Sequence, residues 1–181
     1  MIWIDYESLA HDVRRHANLR LTNGYALDAD RIALEYLGYD VERRTKFQHD
    51  GRKLLGACFF DEDLIVIEEI GFVPRLRFTM AHEIGHALND PRIDPCGAFA
   101  AFRCDQHDIA VAEEPMGRGK SDRARSEYLA NRFASALLMP RDEMPRGSLS
   151  QTERARLAAH YGVSKHALDL RLSQINPGFD S

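Results

Sequence analysis

The sequence predicts an α+β fold: a mainly helical domain, a small β-sheet or hairpin just before its central helix, and a helical tail. Three observations predict it. Two apolar runs, 54–60 (LLGACFF) and 64–67 (LIVI), flank the polar turn Asp61-Glu62-Asp63. Two long segments, one starting near Arg75 and one over 122–138, carry helical periodicity. Residues 151–175 read as two further helices divided at Gly162-Val163.

The whole chain sets the bounds. At 181 residues it suits one domain with a small appendage: residues 1–145 as the main domain and 146–181 as a helical, helix-turn-helix-like tail. It is 44% hydrophobic and 29% charged, ordinary for a globular protein. A net charge of −4 offers no global basic field for nucleic acid. Three cysteines, Cys58, Cys96 and Cys104, form no disulfide framework, so a reducing cytoplasmic setting is expected. The start of the chain has no basic segment followed by an apolar stretch, so no signal peptide is expected. No apolar run reaches 18 residues, so no membrane partner is expected.

Residues 5–17 read as a first helix, with Ile4, Leu9, Val13 and Ala17 near helical spacing and Asp5 as its cap. Thr22-Asn23-Gly24 is turn chemistry. Residues 28–37 read as a second helix, stopped by Gly38. Val41–Phe47 reads as a strand. The runs 54–60 and 64–67 read as a hairpin, the second rich in β-branched Ile65, Val66 and Ile67. Gly71 and Pro74 then interrupt, and the central helix is expected to begin near Arg75. From 91 to 121 periodicity is lost among Pro91, Pro95, Gly97, Pro115, Gly117 and Gly119. This is an irregular insertion in which 99–112 could hold a short helix or strand. Residues 122–138 are strongly helical, with Asp122 as a candidate cap and Met139-Pro140 as the stop.

The central helix carries HEIGH, His82 to His86. Residues four apart share a helix face, so His82 and His86 can aim both imidazoles at one point, the placement that holds a zinc ion. Glu83, rotated about 100° around the axis, can reach a water on that ion as a general base. Two solvated histidines on a surface helix would spell the same pattern. Phe78, Met80, Ala81, Ile84, Ala87 and Leu88 argue for an embedded helix, where two histidines and a glutamate need partners. Gly85 removes a side chain beside His86 and permits close approach of another segment, at a helix cost of about 1 kcal/mol relative to Ala.

A catalytic zinc takes three protein ligands and leaves one position for water. Downstream candidates for the third are Asp90, Asp94, Cys96, Cys104, His107, Glu113, Glu114 and Glu127. Glu127 lies on the second strong helix, where packing would hold it rigidly. A solvated helix charge accounts for it equally well.

RFTMAHEIGHALND and EYLANRFASALLMP together resemble the ImmA/IrrE family of zinc metallopeptidases. The first block matches at Arg77, Phe78, Thr79, Ala81, His82, Glu83, Gly85 and His86. The second matches at Glu127, Ala130, Asn131, Phe133, Ala134 and Leu137 to Pro140. With the preceding hairpin and the tail segment YGVSKHALDLRL, the likeness covers most of 28–175. It implies a zincin-like metallopeptidase domain with His82, His86 and Glu127 as zinc ligands and Glu83 as the catalytic acid/base. Manganese or iron would also suit such ligands. It further implies regulated proteolysis in a bacterial or phage cytoplasm, directed at a helix-turn-helix repressor or similar DNA-binding regulator. The segment 91–121 is longer than the family pattern and is expected over the cleft.

Several residues carry secondary expectations. Asn131, one turn after Glu127, and Asp90 are candidates to hydrogen-bond a ligand from behind. Tyr128 and His107, and also Tyr25 and Arg103, are candidate donors to a developing oxyanion. Strand 54–60 is expected as an edge beside the cleft that could take a peptide by strand addition. Cys96 and Cys104 read as reduced thiols. A non-catalytic metal-binding or partner-binding regulator is the competing function. In the tail, Arg154, Arg156, Lys165 and Arg171 face Glu153 and Asp169, a surplus too thin for direct DNA binding.

Overall fold

A computed structural model of the chain describes residues 6–18, 22–23, 26–69, 71–88, 103–104 and 122–176. Helix α1 (Tyr6–Asn18) buries Ala10 and Val13. Strands β1 (Thr22–Asn23) and β2 (Ala26–Leu27) form a two-residue ladder. Helix α2 (Ala29–Arg31) starts at Asp28, whose carboxylate accepts the Arg31 N–H, and runs on as a π-helical stretch, Ile32–Leu37. It closes on Gly38, whose φ of 77° is the left-handed conformation glycine supplies without strain. The expected stop is therefore where the sequence puts it. The expected cap Asp5 lies outside the described residues.

The sheet has four strands, β3 (Asp40–Arg44), β6 (Gly56–Phe59), β7 (Leu64–Glu68) and β8 (Arg103–Cys104), in the order β3-β7-β6-β8. A small hairpin, β4 (Gln48–His49) and β5 (Arg52–Lys53), stands apart. The expected hairpin is present as antiparallel β6–β7, with Cys58 opposite Ile65. Two features depart from expectation. The first strand stops at Arg44 instead of Phe47, because the chain turns at Lys46 (φ 53°) and Phe47 dives into a small apolar cluster. That strand pairs in parallel with β7, a contact between segments too far apart in sequence for local pattern to reveal. Residues 103–104, within the stretch left open between helix and strand, are strand: β8 pairs with Gly56 and Ala57. The expected free edge at 54–60 is thus corrected, since β6 is paired on both sides there.

The pleat divides the sheet's residues by face. Cys58, Ile65 and Ile67 join the main core beneath the helices, while Ala57 and Val66 join Phe47 and Leu54 on the other side. Helix α3 (Val73–Ala87) starts two residues before the expected Arg75. Pro74 does not interrupt it: in the first helical turn its missing N–H is not needed. Helix α4 (Asp122–Leu138) packs along α3 at Gly85, where a Cβ would sit only 3.1 Å from both the Ala130 Cα and the Phe133 ring. The close approach anticipated from Gly85 is this contact.

The tail forms α5 (Gln151–Tyr161), opened by a reciprocal Ser150–Glu153 capping box, and α6 (Lys165–Ile175), capped by Ser164. Gly162, at φ 64°, makes the break between them. Ala158, Tyr161, Val163, Leu168 and Leu172 share one apolar cluster with residues of α1, α3 and α4. Arg171 is fully buried and forks onto both Glu7 oxygens at 2.6 and 2.8 Å while its Nε donates to the Met139 carbonyl. Arg171 is therefore not among the cations a nucleic acid could meet. Among the described residues, no helix is long and apolar enough to cross a membrane.

Candidate metal centre

The site is built where α3 crosses α4. Helix α3 buries an unbroken run from Thr79 to Ala87, so His82, Glu83 and His86 have no access to bulk water. Helix α4 presents Ser126, Glu127 and Asn131 to them from the facing side, all buried. The spacing of four brings His82 Nε2 within 2.9 Å of His86 Nε2. The Glu127 carboxylate closes the group from across the interface, 3.2 Å from His82 Nε2 and 3.6 Å from His86 Nε2. Among the described residues, His82, His86 and Glu127 are the group whose ligand atoms converge as a metal would require, all within 4.8 Å of one another.

That convergence fits a cation. Three donors placed tetrahedrally, each about 2.0–2.1 Å from one zinc ion, stand about 3.3 Å apart. The observed 2.9, 3.2 and 3.6 Å bracket that spacing. The donor set, two imidazoles and a carboxylate, is one that catalytic zinc sites use. Buried oxygens add a second sign. Neither Glu83 oxygen, nor Glu127 Oε1, has a hydrogen-bond partner. Leaving such groups unmet costs about 1–3 kcal/mol or more each, which a bound cation and its water would offset.

The histidines are oriented from behind. Asn131 Oδ1 is an acceptor, so at 2.7 Å it takes the proton of His82 Nδ1 and leaves Nε2 with its lone pair facing the site. The Ser126 hydroxyl stands 3.5 Å from His86 Nδ1, at the outer limit of a hydrogen bond. Electrostatics separate the two carboxyls. Burial, and then the nearby Glu127, push Glu83 well above the ordinary value of 4.5. Burial also acts to raise Glu127, but hydrogen bonds from His82 and His86 outweigh it and hold that group far below. The two neighbouring carboxyls are thus pushed in opposite directions, Glu83 toward the neutral form and Glu127 toward the charged one.

Of the expected site residues, the structure brings together His82, Glu83, His86, Glu127 and Asn131. Tyr128 is part-exposed, with its ring 5.8 Å from the Arg132 guanidinium. Asp90, His107, Tyr25, Asp94, Cys96, Glu113 and Glu114 lie outside the described residues, as does the insertion 91–121 apart from β8. Two residues escaped the sequence reading. Ser126 is one, with only its place beside Glu127 as a signal. Gly56 is the other. A Cβ there would meet Glu83 Oε1 at 2.6 Å and the Thr79 methyl at 2.8 Å, so the strand presses directly on the Glu83 side chain. A glycine inside an apolar strand run is the signal that could have found it.

Comparison with known proteins identifies the family. The model of the Peptidase_M78 family, described as the IrrE N-terminal-like domain, matches residues 35–173. No curated protein matches the chain. A solved structure described as a Mycobacterium tuberculosis transcriptional regulator superposes with a TM-score of 0.56 at 19% identity, over 94% of this chain and 47% of that one. At that identity the likeness bears on the fold alone, and the chain spans about half the regulator's length.

Proposed function

The chain belongs to the Peptidase_M78 family of IrrE N-terminal-like domains, and on that premise we propose that it is a zinc-dependent endopeptidase that cuts one specific regulatory protein. One observation carries the reading: His82, His86 and Glu127 converge on a single point while the Glu83 carboxyl lies buried beside them with both oxygens unmet. A bound zinc ion would polarise the scissile carbonyl and acidify a water. In that role Glu83 would take a proton from the attacking water and deliver it to the leaving amine, a shuttle suited to a buried carboxyl with both oxygens unmet. His82 and His86 would hold the cation, and Glu127 would supply a negative charge that partly offsets it. Asn131 keeps His82 in the tautomer that can ligate. Burial of all four groups strengthens the electrostatic interactions among them.

The substrate in this reading is a DNA-binding regulator such as a helix-turn-helix repressor, in a bacterial or phage cytoplasm. The family likeness is what supports it. Manganese or iron in the same ligands would alter the metal but not the roles. The alternative is a non-catalytic metal-binding regulator that uses the same fold to grip a partner.

Two measurements decide, one on the purified protein and one in cells. Metal analysis should find one equivalent of a divalent transition metal in the wild type and its loss in His82→Ala and Glu127→Ala. New protein N-termini should arise in host cells expressing the wild type but not Glu83→Gln. Equal metal in all forms would sink the site, and identical N-termini with and without Glu83 would leave the binding reading in its place.

A further inference from the structure

Beside the candidate metal centre lies a cavity of about 570 Å³, walled by the first half of α3, by α4 and by α6. Three of its lining residues neighbour the centre, although His82, Glu83, His86 and Glu127 do not themselves line it. Thr79 lies one turn before Glu83, Tyr128 follows Glu127, and Asn131 holds His82. Leu55, Phe72, Phe78, Tyr128, Ala167 and Leu170 make most of the surface apolar. The size and lining are those of a ligand pocket, and Phe72 stands 55% exposed on it.

Its charge is one-sided. Among the described residues no Asp or Glu lines it, although the chain as a whole carries −4. Arg75 and Arg132 do line it. Arg75 is exposed, with no carboxylate partner among the described residues. Arg132 leans on the Tyr6 ring and donates to the Tyr6 hydroxyl, yet its buried Nε–H donates to nothing. On the α6 wall, Gln174 Oε1 is a buried acceptor that receives no donor. A peptide main chain carries both complements, a C=O for Arg132 and an N–H for Gln174.

We infer that this cavity receives the substrate, and that the segment it takes is a peptide with a bulky apolar side chain next to an Asp or Glu. The inference rests on the peptidase reading and narrows its substrate class. The apolar wall takes the side chain, Arg75 pairs the neighbouring carboxylate, and the two orphaned polar atoms take the main chain. A basic segment is disfavoured by two arginines with no acid among the described lining residues to balance them. The helical tail is then one wall of the substrate cleft.

The test uses zinc-loaded full-length Glu83→Gln protein, which cannot turn over what it binds, and a random-sequence peptide library. Retained peptides should be enriched in Phe, Leu or Met adjoining Asp or Glu. Adding Arg75→Glu, an exposed change the fold should tolerate, should weaken those peptides about tenfold and turn the preference toward Lys or Arg. No retained peptide, no apolar–acidic enrichment, or an unchanged preference after Arg75→Glu would overturn the inference. So would retention of a fatty acid such as oleate in place of peptide. The peptidase reading fails separately. If zinc-loaded wild-type protein leaves the selected peptides uncut, that reading falls and the pocket stands; if it cuts only peptides lacking the pattern, the reverse holds.

Discussion

His82 Nδ1 stands 2.7 Å from Asn131 Oδ1, a buried contact that joins the helix bearing two candidate ligands to the helix bearing the third. It spans 49 residues of sequence and sets both ring orientation and tautomer. Replacing Asn131 by Leu should leave the helices packed but release the imidazole. Metal affinity should fall about 10–100-fold, the usual cost of losing such a partner. Competition against a calibrated zinc chelator measures it, and unchanged affinity would reduce Asn131 to helix packing.

Gly56 faces Glu83 too closely for any side chain. Gly56→Ala must displace Glu83 and Thr79 from their places, because the new Cβ would lie 2.6 Å from Glu83 Oε1, 2.9 Å from its Cγ and 2.8 Å from the Thr79 methyl. The expected result is near-normal metal content with strongly reduced peptide hydrolysis. Metal analysis alongside turnover checks it; full turnover in the alanine form would mean that Glu83 needs no fixed seat.

In metal-free protein the two carboxyls pull stability in opposite directions with pH. Glu83, raised by burial and by Glu127, binds a proton more readily folded than unfolded, so its contribution is complete below pH 4.5 and is lost as pH rises through its folded value. Glu127, held low, contributes above pH 4.5 and loses that contribution as pH falls. Glu83→Gln removes the first effect alone. In EDTA its melting temperature should exceed the wild type's at pH 8, and the gap should close as pH approaches 4.5. Thermal melts across that range give the answer, and a gap that grows on acidification would contradict the assignment.

The Arg171–Glu7 fork ties α6 to α1 and, through the Met139 carbonyl, to the end of the ligand-bearing α4. Arg171→Met should destabilise the chain by about 3 kcal/mol, near the low end for a broken buried pair because Glu7 remains partly hydrated. Arg171→Lys should recover little, since an ammonium cannot span both carboxylate oxygens and the carbonyl. Denaturant unfolding measures both. Lys165→Ala, on the exposed face of the same helix, should stay close to wild type.

Much of this was legible in order of residues. The period of HEIGH placed His82 and His86 together, because a helix repeats every 3.6 residues whatever surrounds it. The β-branched run at 65–67 and the Gly38 and Gly162 stops were local chemistry for the same reason. Glu127 was one of eight candidates until the block EYLANRFASALLMP suggested it by resemblance, since nothing in spacing says which distant segment will cross α3. The parallel pairing of β3 with β7, the capture of the β6 edge by β8, and the burial of Arg171 were invisible for that same cause.

By itself the sequence determined that two imidazoles and a carboxyl share one stretch of helix, for that follows from backbone periodicity. Only the tertiary structure decided that Glu127 meets them, that Asn131 aims one ring, that Gly56 presses on Glu83 and that the tail walls a cavity. Each of those depends on packing between segments distant in the chain, where long-range burial, and not local geometry, chooses the neighbour.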